Sequence, residues 1–175
     1  GRAMINSITA EKERWEKVLP LVLEYNARVI ALTMDDRGMP ETAEERLKVA
    51  AWLIENLVKH GVKEDDIFID PLVRPVSTGS HYATVVYETI RRVKEEFPGV
   101  HTVCGLSNVS FGLPARKLIN QAFLVQTMAA GLDTVILDPL DKRLMSLLYA
   151  GELLLGRDEY AAGYLSAFRE GRLEA

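Results

Sequence analysis

The sequence predicts an α/β fold in which parallel strands, covered by helices, form part of a (β/α)8 barrel. Two observations carry this expectation. Short apolar runs alternate with amphipathic stretches five times along 175 residues, with brief connections and no internal repeat. Such alternation implies parallel strands joined by crossover helices. Asn6, Asp35, Asp70, Asn108 and Asp138 then fall just past the ends of successive apolar runs, where a barrel gathers its chemistry. A doubly wound sheet would concentrate them at one switch point instead.

The elements follow in order. Ala3 to Asn6 reads as the end of a strand, and a helix is expected from about Ala10 to Tyr25, with Thr9 as N-cap and Glu11 and Glu13 at its positive end. Arg28 to Thr33 is a short apolar strand of valine, isoleucine and leucine emptying into a polar loop, Met34 to Pro40, where Asp35, Asp36 and Gly38 read as turn chemistry. Thr42-Ala43-Glu44-Glu45 is a capping box. The helix it opens carries Leu47, Ala50, Ala51, Ile54, Leu57 and Val58 at helical spacing and stops at Gly61. Ile67 to Ile69 is a strand ending at Asp70-Pro71. A loop, Leu72 to Ser80, leads to a helix over Tyr82 to Phe97, closed by Pro98-Gly99. Val100 to Leu106 is the next strand, followed by the polar tip Ser107-Asn108-Val109-Ser110 and a helix from Ala115 to Ala130. Thr134 to Leu137 is the last strand, Arg143 to Leu155 the last full helix, and Arg157 to Ala175 an amphipathic, helical tail.

Length and composition bound the rest. One substantial core and one domain over 1–175 suit 175 residues. A net charge of −4 and the lack of a basic run exclude a nucleic-acid partner from the expectations. No apolar stretch approaches the roughly 20 residues that span a bilayer, and the N-terminus lacks a signal-peptide pattern, so no membrane association is expected. The single cysteine, Cys104, suggests a cytoplasmic setting. A full barrel needs eight units and about 250 residues. The five units here are therefore expected to be the C-terminal portion of one barrel domain, with about three units, roughly 75–90 residues, preceding them. Open barrel edges would favour a homodimer.

The tips carry the candidate chemistry. Asp70 ends a strand, where its carboxylate can accept paired N–H bonds from an amino-pyrimidinone ring or cap the Asp-Pro turn; both readings stand. Asn6 reads either as a ligand for a heterocycle's amide or as a helix cap. Asn108 is the stronger candidate, because Ser107, Asn108 and Ser110 between Gly105 and Gly112 exceed what a helix cap needs. Asp138 and Asp141 read as helix caps. His60, His81 and His101 have no partners at metal-ligand spacing, Cys104 reads as core, and neither Walker A nor G-x-G-x-x-G occurs. What remains is binding and polarising a heterocycle with amides and carboxylates.

Ile5-Asn6-Ser7, Phe68-Ile69-Asp70-Pro71-Leu72 and Gly105-Leu106-Ser107-Asn108-Val109-Ser110 resemble the pterin-binding methyltransferases, above all those that serve corrinoid proteins. The resemblance covers essentially the whole chain, in order and with matching spacing. It implies a TIM barrel whose top binds folate. It further implies transfer of a methyl group between N5 of tetrahydrofolate and the cobalt of a corrinoid on a partner protein, with no metal held by this chain. By this resemblance Asn6 and Asp70 hold the pterin's pyrimidine edge, Asn108 acts catalytically beside N5, and Ser107 and Arg116 help form the folate end of the site. The family's third-strand aspartate has no counterpart here, and Phe111 stands where some members carry a polar residue. A non-catalytic half-barrel that binds pterin or a partner is the alternative. Dihydropteroate synthase shares the pterin barrel but usually ends its last strand in Arg-x-His, where this chain has Ile136-Leu137-Asp138-Pro139.

Overall fold

The structure, a computed structural model, describes residues 1–174; Ala175, the last residue of the expected helical tail, lies outside them. Five strands, β1 (Met4–Ala10), β2 (Arg28–Asp35), β3 (Ile67–Asp70), β4 (His101–Gly105) and β5 (Thr134–Ile136), pair in parallel in the order β1-β2-β3-β4-β5. The helices α1 (Lys12–Glu24), α2 (Ala43–Lys59), α3 (Tyr82–Glu96), α4 (Arg116–Ala129) and α5 (Lys142–Leu154) follow them, and α6 (Ala162–Arg169) closes the chain. This is an α/β fold whose strands lie side by side in chain order. No neighbour pair reverses direction along the sheet, so there is no switch point of the doubly wound kind. The arrangement is that of an arc of a TIM barrel.

Alternation across the strands divides the core. On the helix side, Ile8 of β1, Val29 and Ala31 of β2, and Ile67 and Ile69 of β3 pack on Val18 and Val22 of α1 and on Leu47, Leu53 and Leu57 of α2. A second cluster joins Cys104 to Val86 and Ile90 of α3, Phe123, Leu124 and Met128 of α4, and Leu144 of α5. The other face carries a smaller apolar layer, Ile30, Phe68 and Val103, one from each of three adjacent strands. His101 lies on Phe68, ring centroids 4.7 Å apart and planes 18° from parallel. Its two ring nitrogens face Asp133 and Asp65, and Lys94 also binds Asp133 at 3.1 Å. These ties sit at the N-terminal ends of the strands, the end a barrel uses for stability.

Several boundaries differ from the sequence reading, for physical reasons. β1 does not stop at Asn6 but runs to Ala10, and α1 starts at Lys12 behind Glu11, whose side chain makes no cap bond. Thr9 is therefore not the N-cap; it is 4% exposed and paired with Leu32. Its hydroxyl donates to Glu11 Oε2 instead. Burial of Ile8 beneath α1 and α2, together with pairing to β2, outweighs the local capping preference of threonine. A register shift between Asn6 and Ile8 leaves Ser7 as the extra residue of a bulge. β2 likewise extends to Asp35, and β4 ends at Gly105, where Leu106–Ser110 winds into a 3-10 turn. The capping box at Thr42 forms as expected, the Thr42 hydroxyl accepting from Glu45 N–H and the Glu45 side chain accepting from Thr42 N–H. Gly61 ends α2 at φ +93°, and Asp141 caps α5 by accepting from Leu144 N–H. Among the described residues, no helix is long and apolar enough to cross a membrane.

Leu53 has no exposed surface and sits where α2 meets the strands. Leu53→Ala is expected to lower unfolding free energy by about 3 kcal/mol, whereas Thr42→Ala, which removes only the cap, is expected to cost about 1 kcal/mol. Urea unfolding followed by circular dichroism checks both, and equal losses would contradict this division between core and cap.

Candidate active site at the strand ends

Asp70 is the last residue of β3, and Pro71 and Leu72 turn the chain away from the sheet. Leu72 adopts φ +61°, a left-handed conformation that costs a leucine on the order of 1 kcal/mol. Two contacts hold it there. Asp70 Oδ1 accepts from Leu72 N–H at 2.8 Å, and Arg46 Nη1 donates to Leu72 O at 2.9 Å and to Pro71 O at 2.6 Å. Asp70 thus caps its own turn with one oxygen, while Oδ2 makes no hydrogen bond among the described residues. Since Ile69 points into the helix-side core, Asp70 faces the opposite, concave side. Burial pushes its carboxyl up to about 6, against the pull of the Leu72 N–H and the Arg46 charge. Of the two readings made from sequence, turn cap and ligand acceptor, the geometry accommodates both in one carboxylate.

The turn after β4 presents Asn108. Leu106 and Val109 are buried in the second core cluster, so the 3-10 turn is anchored by its apolar residues and leaves Ser107 and Asn108 exposed. Gly105 keeps the space beneath free: a Cβ there would sit 3.4 Å from Asn108 Nδ2. The Asn108 amide is not hydrogen bonded within the described residues and can offer both donor and acceptor. Arg116, in the first turn of α4, closes this loop from outside. Its Nε donates to Ser110 Oγ at 3.0 Å and its Nη2 to Ser107 O at 2.9 Å. Much of its guanidinium is thereby committed to shaping the tip, a task its spacing in the sequence did not disclose. Ser107 contributes its carbonyl to that contact, and its side chain faces solvent.

The structure joins the loop that follows Asp70 to the turn that carries Asn108. Val76 N–H donates to Val109 O at 3.0 Å and Ser77 Oγ to Phe111 O at 2.8 Å, which ties the loop after β3 to the turn after β4. A hollow of about 610 Å3 opens beside them, lined by Gly105, Ser107, Asn108, Arg116, Asn120 and Asp138 among others. A neighbouring hollow of about 680 Å3 shares Arg116 and Lys117 and adds Lys142 and Arg143. Asn6 and Asp70 line neither. Asn6 is not beyond its strand, as the sequence suggested, but inside β1, exposed and paired with Ile30, a residue of the concave layer. Asp138 accepts from Leu140 N–H at 2.9 Å and serves as a turn cap.

Arg46 was missed by sequence reasoning. It looks like one more surface charge on an amphipathic helix, yet its guanidinium is wholly buried and spans the loops after β2 and β3, with Nε also donating to Pro40 O at 3.1 Å. The signal was available: Val49, Ala50 and Leu53 lie three, four and seven residues further on and are all buried, so Arg46 sits on the inward face of α2.

A series of βα units with a carboxylate and an amide on the C-terminal face has the layout of a ligand-binding barrel. A sequence profile described as "Pterin binding enzyme" matches residues 1–138, and the chain belongs to that family. It is 35% identical over 172 residues to a methylcorrinoid:tetrahydrofolate methyltransferase of Eubacterium limosum, an alignment that covers 97% of this chain and 64% of that protein. It is also 38% identical over 148 residues to the methionine synthases of Mycobacterium tuberculosis and Mycobacterium leprae, covering 78% of this chain and 12% of each synthase. The chain thus spans less than two thirds of these relatives' own lengths.

Raising the folded-state carboxyl of Asp70 to about 6 means that its ionised form costs stability. The cost is absent below about pH 4, grows as pH rises through about 6, and reaches roughly 2–3 kcal/mol above it. Asp70→Asn retains an oxygen for Leu72 N–H, so at neutral pH it is expected to stabilise the chain by about 1–3 kcal/mol, the gain vanishing below about pH 4. Thermal unfolding across that range checks this. A variant less stable than wild type at neutral pH would contradict it.

Proposed function

We propose that this chain forms the folate-binding and catalytic part of a methyltransferase that moves a methyl group between N5 of tetrahydrofolate and the cobalt of a corrinoid carried by a partner protein. The observation that carries the reading is the pair of tied loops: a partly buried carboxylate with one oxygen free, and an amide on the adjacent turn unpaired, among the described residues. A pterin offers a 2-amino group and a ring N–H side by side, which match a carboxylate acceptor. Asp70 would hold that edge, with Asn6 on the concave side of β1 assisting. Ser107 and Arg116 would border the rest of the folate, and the cations Lys117, Lys142 and Arg143 around the outer hollow suit its carboxylate tail. The reading is supported by membership in the pterin binding enzyme family and by the activity after which the Eubacterium limosum relative is named.

In transfer away from folate, the C–N bonding pair stays on N5 and the methyl bonds to the cobalt's electron pair. A tertiary amine nitrogen is a poor leaving group unless its developing charge is met. Asn108 Nδ2–H beside N5 would strengthen its hydrogen bond as that charge appears, stabilising the transition state more than the bound substrate. The same contact works in reverse, since it polarises whichever form of N5 has the lone pair. The five units are proposed to belong to one larger barrel domain, because β1 and β5 pair with only one neighbour each among the described residues. A cytoplasmic homodimer that binds neither membrane nor nucleic acid is part of the same proposal.

The test follows methyl transfer from methyltetrahydrofolate to cob(I)alamin. Asn108→Ala is expected to slow transfer on the order of 10²-fold while changing pterin affinity by less than about tenfold. A near-wild-type rate would remove Asn108 from catalysis. Pterin affinity in the unmutated protein should strengthen as pH rises through about 6, where Asp70 ionises, and Asp70→Asn should flatten that dependence. Pterin binding without any transfer would instead favour a half-barrel that binds and does not turn over.

A further inference from the structure

Arg46 is an expensive residue to place where it is. Among the largest side chains with no exposed surface, it is the only charged one among the described residues. Among the described residues its Nη2 has no hydrogen-bond partner, and no carboxylate forms an ion pair with it. Buried guanidinium N–H groups without acceptors cost stability, and an apolar side chain could fill the same place in α2 without that penalty. What the guanidinium does instead is grip three backbone carbonyls on two loops: Pro40 after β2, and Pro71 and Leu72 after β3. Two of these belong to the turn that follows Asp70. The left-handed Leu72 is held between Arg46 on its carbonyl and Asp70 on its N–H.

We propose that Arg46 is the positioning residue of the Asp70 tip, clamping the Pro71-Leu72 turn so that Asp70 spends one oxygen on the turn and presents the other to the pterin. This rests on the pterin reading above. If the clamp loosens, Leu72 relaxes toward an ordinary backbone conformation, its N–H leaves Asp70 Oδ1, and the carboxylate swings with it. Several charged or titratable groups surround the site. Arg46 comes from α2. Cys104 comes from β4, its thiol pushed up chiefly by burial and further by the Asp70 charge. Beyond Arg46 lie Arg74, Glu41 and Tyr82, with Arg74 paired to Glu41 and stacked 4.1 Å over the Tyr82 ring. Arg46 is the one of these that bonds the Asp70 turn itself. Burial and the Arg74 charge lower its own pKa, which still leaves it protonated across the physiological range.

The experiment compares Arg46→Lys and Arg46→Met with the unmutated protein. It reads the midpoint of the Asp70 carboxyl by carbon-13 NMR, assigned with Asp70→Asn, and methyltetrahydrofolate affinity by calorimetry. In Arg46→Lys the midpoint is expected to rise because the Leu72 N–H bond to Asp70 is lost, and in Arg46→Met it rises further because the charge is lost as well. Affinity at neutral pH is expected to fall by about tenfold or more, with lysine, which keeps the charge but not the fork, failing to rescue it. An unchanged midpoint and affinity in a folded Arg46→Lys would overturn the proposal. So would unfolding of both variants, which would make Arg46 a support of the fold alone. If the unmutated protein binds no pterin, the functional reading fails, yet the Asp70 midpoint still decides whether Arg46 orients the carboxylate.

Discussion

Every functional feature of this chain depends on one constraint, the pairing of each strand with its sequence neighbour in parallel. Parallel pairing places all five C-terminal ends on one side, and chain order puts the end of β3 beside the end of β4. Asp70 and Asn108 are 38 positions apart in sequence, and the loop after one and the turn carrying the other meet only through this arrangement, which the Val76–Val109 and Ser77–Phe111 hydrogen bonds then lock. The opposite ends of the strands carry a different kind of residue. There Asp65, His101, Lys94 and Asp133 pair among themselves. Stabilising pairs and the candidate site thus lie at opposite ends of the strands, the division that βα barrels show.

The energetic balance at the two ends differs accordingly. Below the sheet, charged groups satisfy one another at the surface. Above it, polar groups are left partly unsatisfied: a carboxylate held toward its neutral form by burial, an amide without a partner, a leucine in a left-handed turn and a guanidinium with an unused nitrogen. A protein shaped for stability alone would remove these features. Their grouping at the ends of β3 and β4 singles out that face as the candidate site.

Most of the fold was legible in the sequence because it rests on patterns with short memory. Alternating apolar runs, the Thr42 capping box and Gly61 declare strands, helix start and helix stop from a few residues each. The failures share one cause. Thr9 looks like a cap and is a buried strand residue; Asn6 looks like a tip and lies within β1, ahead of a bulge. Both were decided by what packs on them, namely α1, α2 and β2, which no local window contains. At the site, the tips at Asp70 and Asn108 were legible because strand ends are local. The roles of Arg46 and Arg116 were not, since each acts through backbone carbonyls on another segment, and a carbonyl leaves no signature in the sequence.

The stitching of the two loops has a consequence for motion. Val76 and Ser77 cannot leave Val109 and Phe111 without both segments losing partners, and the left-handed Leu72 gives the first segment little freedom to drift alone. The two loops are therefore expected to open together, with amide protons on both exchanging with solvent at a shared free energy of opening. A molecule that grips either loop slows exchange in the other, so protection at residues it never touches reports its arrival.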